Sequence, residues 1–314
     1  MAIIDEASQL LLSHSVGCLY RAKRILVAGD SQQMAPSNYF NPKDENSLTL
    51  LHKASFYFNN ILLNYHFRSE HPSLIAYSNQ NFYNDDLIAF PSVSQEQMPI
   101  KFHLIENGRY INRANDKEAQ QVADHLASIL HNSNEKIGVV AFSESQLACI
   151  FGKLSPSLQI QLLNRIDQDT LFFKALEQIQ GDECDRLIIS FGYAKNEDGI
   201  FEMRFGPVNE KNGGKRLNVL FSRARRNIDF FASVVSKDFA VSSNNSVRLL
   251  WKWFLFIESE QSKSDLIKFP FKLPITQKDQ QLSCDNWANL SENACDVLTI
   301  TRTLIARGWK LTVH

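Results

Sequence analysis

The chain has 314 residues, 44% of them hydrophobic and 21% charged, which supplies a sizeable core and excludes wholesale disorder. At roughly 100 to 200 residues per domain there is room for about two compact units. Lys plus Arg number 33 against 34 Asp plus Glu, a formal net charge of -1, so a histone-like basic protein is excluded and any nucleic-acid surface must be a local stripe.

Short β-rich runs alternate with segments of helical period, the pattern of an α/β fold whose parallel sheet carries helices on both faces. In chain order the expected strands are 2–4, 24–28, 100–105, 137–142, 186–191 and 228–234. Most are continuous apolar runs, as strands buried on both faces should be. The expected helices are 72–82, 118–131, 215–226 and 247–258. In the second of these, Ala119, Val122, Ala123, Leu126, Ile129 and Leu130 share one face. In the last, Trp251, Trp253, Phe254 and Phe256 read as packing residues and not as a base-stacking platform.

The stretch 36–46, rich in Pro, Asn and Asp, reads as a link between two lobes. After Glu258 a polar run and then a proline-bearing one read as an interdomain linker. It leads to 291–314, one helix-like segment and the opening of a strand. The five cysteines form no CxxC pair, and the eight histidines show no HxxxH spacing, so neither a disulfide framework nor a zinc site is expected. Apolar runs fall short of the roughly 18 residues of a membrane span, and the acidic start is unlike a signal peptide. The expectation is a soluble cytoplasmic protein with no membrane partner.

Two strings carry chemistry. Ile3 and Ile4 run into Asp5, Glu6, Ala7, Ser8 and Gln9, which puts two carboxylates at the carboxyl edge of a sheet, where ligands of open α/β folds bind. Alone, such a pair is equally a solvated helix start facing the dipole. The strand at 24–28 then delivers Gly29, Asp30, Ser31, Gln32, Gln33, Met34, Ala35 and Pro36, an ordinary turn if taken by itself.

One crossover apart, these strings are similar to motifs II and III of superfamily 1 helicases, and the match continues in order. Leu63 to Pro72, containing His66, Phe67 and Arg68, resembles motif IV. Leu176 to Glu183, containing Gln180, Gly181 and Asp182, resembles motif V. Arg216 to Arg225, RLNVLFSRAR, resembles motif VI. The resemblance covers about the first 258 residues. It points to the bacterial, AAA-type branch related to the nonsense-decay and DNA-replication helicases, in which a restriction-endonuclease-like domain often follows the motor.

The resemblance implies RecA-like parallel sheets with helices on both faces, ATP and Mg²⁺ as cofactors, and single-stranded or duplex nucleic acid as partner, DNA favoured. It also implies roles. Asp5 would hold Mg²⁺, Glu6 would be the general base on the attacking water, and Gln33 would sense the γ-phosphate. Phe67 would pack near the adenine, with the hydroxyl of the family's usual Tyr lost. Arg68 and Arg223 would reach the γ-phosphate, Gln180 and Gly181 would line the cleft, and Glu183 would lie near the ribose. An arginine so placed is worth on the order of 10³ to 10⁵ in rate in other NTPases. Read singly, each has a plainer explanation: Arg223, Arg225 and Arg226 as a solvated helix face, Phe67 as core, Gln180 and Gly181 as a turn.

The expected layout is 1–58 as the end of a first RecA-like lobe, 59–258 as a second lobe, and 259–314 as a linker and the start of a further domain. A phosphate-binding P-loop needs GxxxxGK[ST], and the two GK pairs, Gly152-Lys153 and Gly214-Lys215, lack that frame. The expectation is therefore the carboxy-terminal motor portion of a helicase, partnered by a missing amino-terminal motor segment, and without ATP hydrolysis on its own. Two other readings compete: a non-hydrolysing nucleic-acid or protein docking module built from a helicase lobe, and a nuclease at 291–314. Against the nuclease, Glu292 is the candidate metal ligand there, and the acid-rich core such a fold needs is missing.

Overall fold

The computed structural model describes residues 1–34, 49–90, 99–130, 134–179, 181–210 and 212–262. The expected linker at 36–46, Gln180, and the chain from 263 onward with Glu292 lie outside the described residues. The chain divides into two compact units, and Met1–Pro91 with Gln97–Asp265 makes the one that holds the described residues.

This unit opens with β1 (Ala2–Ile4), α1 (Leu12–Arg21) and β2 (Ile25–Val27), the two strands pairing in parallel with Ala2 opposite Ile25. α2 (Leu50–Tyr57) follows, its amino end capped by the Thr49 hydroxyl, which accepts from the His52 amide. Buried strands are expected at this point, and here the structure differs: Ile3 is 63% and Leu26 56% exposed. Two short strands cannot cover both of their own faces, whatever their apolar content. Next come β3 (Tyr65–His66), α3 (Ser73–Phe82) and β4 (Ile88–Ala89), with β3 and β4 pairing in parallel.

The main sheet is built from β5 (Ile100–Leu104), β6 (Ile137–Ala141), β7 (Leu171–Ala175), β8 (Cys184–Ser190) and β9 (Ala224–Ala232), in the order β5-β9-β8-β6-β7. Every pair is parallel, so each crossover must leave the sheet, and helices fill them. Between the strands lie α4 (Asp116–Leu130), α5 (Glu144–Lys153), α6 (Pro156–Asp167) and α7 (Gly213–Phe221), and α8 (Asn245–Ser262) follows β9. Local signals start these helices: Asn115 Oδ1 accepts the Glu118 amide, Ser143 Oγ the Gln146 amide, and Ser155 Oγ the Leu158 amide ahead of Pro156.

Side chains alternate across the sheet, and two cores result. On one face Ile228 and Phe230 of β9, Leu187 and Ile189 of β8 and Phe102 of β5 pack with α7 and α8. There Trp253, fully buried, stacks on Phe221 at 3.7 Å and 10°. On the other face Phe231, Ile188, Val139 and Ala141 pack with α4, α5 and α6. The α/β class with helices on both faces is thus what the chain adopts. The aromatic set of α8 packs as expected for Trp253 and Phe254, whereas Trp251 is 39% exposed.

Two further differences stand out. The helix expected at 215–226 stops at Phe221, because Ser222 closes it with its amide on Asn218 O, and Ala224 already pairs with Cys184 in the sheet. Arg225 and Arg226 are therefore strand residues, and Arg223 lies in the turn between. β7, α1, α2, α5 and α6 were not expected from periodicity.

Candidate functional site

At the end of β1 the chain turns sharply. Glu6 takes a left-handed conformation, φ 49°, a region that non-glycine residues enter at a cost and that clusters at functional sites. Its amide donates to Asp5 Oδ1 at 2.8 Å, and its Oε2 accepts from Gln9 Nε2 at 3.1 Å. The turn is tied down by Ala7 N–H donating to Ala28 O at 2.9 Å. Gly29 suits the contact, since a Cβ there would press on the Ala7 and Ser8 amides at 3.1 Å. The result leaves both carboxylates exposed beyond the strand.

Arg223 comes from the turn after α7 and is 2% exposed. Its Nε donates to Val219 O at 2.8 Å and its Nη1 to Asp182 O at 3.0 Å. Burial lowers its pKa to about 10, the positive charge of Arg68 pushes the same way, and Glu6, Tyr83 and Asp182 oppose. Glu6 and Arg68 are thus both within electrostatic reach of Arg223. Arg68, half-buried, donates through Nη1 to Ser222 O and through Nε to Glu183 Oε2, each at 3.3 Å. Glu183 therefore meets a guanidinium in the protein itself.

Gln33 donates to Asp30 Oδ2 at 3.1 Å, and Asp30 also accepts from the Gln32 amide at 2.8 Å and the Tyr83 hydroxyl at 2.6 Å. Asn218 Nδ2 in turn donates to Tyr83 Oη at 2.9 Å and to Gln32 O at 3.1 Å. The loop after β2 is thereby joined to α3 and α7. Burial first, and then Asp30, pushes the Tyr83 phenol above its usual range, so it stays a neutral donor. Sequence reading gave no role to Asp30, Tyr83 or Asn218. All three were visible as letters of motif-like strings, Asp30 after β2, Tyr83 at the end of LIAYSNQNFY and Asn218 in RLNVLFSRAR, but nothing in the strings paired them.

Phe67 is 76% exposed, so the core reading fails for it. Its ring lies 5.1 Å from Phe90 and 6.4 Å from Tyr65, an aromatic ledge beside Arg68. Gly181 takes φ +86° with open space where a Cβ would be, a conformation that favours glycine. Of the expected site residues, Glu6 and Arg68 both act electrostatically on Arg223, Glu183 pairs with Arg68, Asp5 adjoins Glu6, Gln33 lies on the network around Asp30, and Phe67 borders Arg68 in sequence. The β1 edge thus presents exposed acids of the kind that bind hydrated Mg²⁺, and the turn after α7 with Arg68 presents arginines of the kind that grip phosphate.

Among the described residues no helix is long and apolar enough to cross a membrane. An AAA domain family matches residues 45–233. The chain is 30% identical over 285 residues to an uncharacterized ATP-dependent helicase MG140 homolog of Mycoplasma pneumoniae, with 82% of this chain and 25% of that protein covered. It is 29% identical over 315 residues to the uncharacterized ATP-dependent helicase MG140 of Mycoplasma genitalium, with 90% of this chain and 28% of that protein covered. The chain thus spans about a quarter of the length of these curated relatives. The matched region takes in the main parallel sheet and the turn bearing Arg223, and the RecA-like arrangement agrees with the motif order: the chain belongs to the AAA domain family and is of the superfamily 1 helicase type.

Proposed function

We propose that this chain supplies the ATP-closing half of a nucleic-acid-dependent helicase motor, with ATP and Mg²⁺ taken at the meeting of the β1 edge and the Arg68–Arg223 wall. The observation that supports this reading is that Glu6 and Arg68 both act electrostatically on the buried Arg223, while Arg68 reaches the Ser222 carbonyl beside it and Glu183. Phosphoryl transfer needs charge neutralisation and positioning more than covalent help, and this arrangement offers both. The names of the two relatives, both ATP-dependent helicases, agree with it.

Asp5 is the residue to hold Mg²⁺ through its water shell, and Glu6, one position on, is the base for the attacking water. Mg²⁺ supplies charge neutralisation on the phosphates when bound. Arg68 has an exposed side and can release Glu183 for a phosphate. Arg223 is committed to backbone carbonyls and must exchange them, which makes its engagement depend on closure of the two walls. Phe67 offers an exposed ring to the base, and Gly181 lies on the same approach. Residues 1–58 act as the first wall and 59–258 as the second. Nucleic acid, DNA by preference, lies across both, gripped by polar and aromatic residues tolerant of sequence.

The test is binding of a fluorescent ATP analogue to the purified chain with and without Mg²⁺. The expected outcome is saturable, Mg²⁺-dependent binding that weakens about tenfold on Arg68→Ala, the size of one charge-assisted contact. Turnover is expected to stay at background, with or without single-stranded DNA, because the chain has no GxxxxGK[ST] loop. Binding that ignores Arg68→Ala, Phe67→Ala and Mg²⁺ alike would sink the nucleotide assignment, and Glu6-dependent turnover would sink the inactivity.

A further inference from the structure

We propose that His103, His125 and Asp229 form a binding site for a divalent transition-metal ion of the zinc class, on the α4 face of the main sheet and separate from the β1 edge. Strand alternation brings the ligands together. Ile100 and Phe102 of β5, like Ile228 and Phe230 of β9, enter the α7–α8 core, so His103 and Asp229 turn to the opposite face, beneath α4. α4 brings down His125 onto them. The three candidate donor atoms all lie within 4.8 Å of one another.

The distances suit a metal. His103 Nε2 is 2.9 Å from Asp229 Oδ1, and His125 Nε2 is 3.4 Å from Oδ2. A tetrahedral ion with bonds of about 2.0 to 2.2 Å sets its ligands about 3.3 Å apart, so small adjustments suffice. Both imidazoles present the same nitrogen inward, and His103 is held by stacking on Phe231 at 4.3 Å and 9°. The second observation is His125 Nε2 itself, which is shut off from solvent and meets the carboxylate only through a long 3.4 Å approach to Oδ2, outside good hydrogen-bond geometry. A buried polar nitrogen so poorly satisfied asks for an occupant, and an ion at this point meets the need.

Arg186 also faces Asp229, its Nη1 donating to Oδ2 at 2.9 Å, and its charge is offset by Glu135 at 3.3 Å from its Nε. That leaves Oδ1 as the metal ligand, with Arg186 fixing the carboxylate as supporting partners of metal ligands do. Both histidine side chains are about one-quarter to one-third exposed, so the cluster lies close to solvent, from which a water is to be drawn in as fourth ligand. Two histidines and one carboxylate match zinc's preference for nitrogen with oxygen.

The test uses the full chain, stripped with chelator and with its cysteines alkylated, so that thiolates cannot compete. Zn²⁺ is titrated by calorimetry, and Co²⁺ by its tetrahedral absorption band. Saturable uptake of one ion per chain is expected, weakened at least about tenfold in His103→Gln and in His125→Gln. Absence of saturable uptake by the wild-type chain, or equal affinity in both variants, overturns the site. Should a variant fail to fold by circular dichroism, the wild-type Co²⁺ spectrum decides: a band of nitrogen and oxygen ligation supports the site, and an octahedral spectrum overturns it.

Discussion

Glu118 is fully buried, and burial pushes its carboxyl up to about 8, against the pull of the Ser190 hydroxyl and the Gly192 amide, both of which donate to Oε1 at 2.7 Å. Asn115 Nδ2 donates to the other oxygen at 3.3 Å. The acid thus joins the start of α4 to the end of β8 in its neutral form at pH 7. Its folded pKa lies above the ordinary 4.5, so its contribution is complete below about pH 4.5 and is lost as pH rises through about 8. Within that window stability is expected to fall by up to about 1.4 kcal/mol per pH unit. Glu118→Gln, which cannot ionise, is expected to cost about 1 kcal/mol at pH 5 and to remove this slope. Urea midpoints of both proteins from pH 5 to about 8.5 check it; an unchanged slope in the variant would assign the pH dependence to another group. His66 runs the opposite way. Burial first, and then Arg68, lowers its pKa to about 4, so its contribution is complete above about 6.5 and lost as pH falls through about 4. The acid side of the profile in Glu118→Gln should therefore retain a decline that His66→Gln abolishes.

At the scale of elements, β6 shows how one residue sets a neighbour's packing. Gly138 sits where a Cβ would collide with the Phe172 ring on β7 and lie 2.9 Å from Cys184 Sγ on β8. Gly138→Ala is expected to destabilise by about 1 to 3 kcal/mol through overpacking, with the urea midpoint lowered and the slope unchanged; a neutral result would mean that Phe172 yields freely. The same crowding explains part of what the sequence leaves unsaid. β6 was legible as a run of apolar residues, and it is buried along its whole length. β7 was not, because its five residues, LFFKA, include a Lys, are only partly buried in the middle, and lead into the motif around Gly181 without a turn residue to mark their end. α7 was legible, but its end was not: RLNVLFSRAR keeps a helical rhythm through Arg225, and only pairing of Ala224 with Cys184, forty positions away in sequence, stops it at Phe221. The electrostatic influence of Glu6 and Arg68 on Arg223 links residues carried by three separate motif-like strings, whereas the His103, His125 and Asp229 cluster has no short spacing to find. It exists only because β5 and β9 are neighbours in the sheet.

On the scale of the molecule, the link between the β1–β2 segment and the main sheet rests on a small polar network. Asp30, Tyr83 and Asn218 bridge three elements: the loop after β2, the end of α3, and α7. Among the described residues Met34 packs against the main core, while Ile3 and Leu26 face outward. Local opening of such a region should need less energy than opening the five-stranded sheet. Tyr83→Phe keeps the ring and removes the hydroxyl, leaving Asp30 with the Gln32 and Gln33 donors and Asn218 with the Gln32 carbonyl. A hydrogen bond to a charged acceptor is worth about 1.5 to 3 kcal/mol, so amide exchange across β1 and β2 should quicken by at least about tenfold. Protection in β6 and β8, buried on both faces in the main sheet, should not change. Hydrogen exchange read by mass spectrometry on the wild-type chain and on Tyr83→Phe separates the alternatives. Equal loss in β6 and β8 would mean that the two sheets unfold as one cooperative block. A selective loss at β1 and β2 would make the Asp30–Tyr83 bond the point at which the carboxylates of Asp5 and Glu6 are held toward Arg223, and it would make movement of that bond the natural response to a ligand between them.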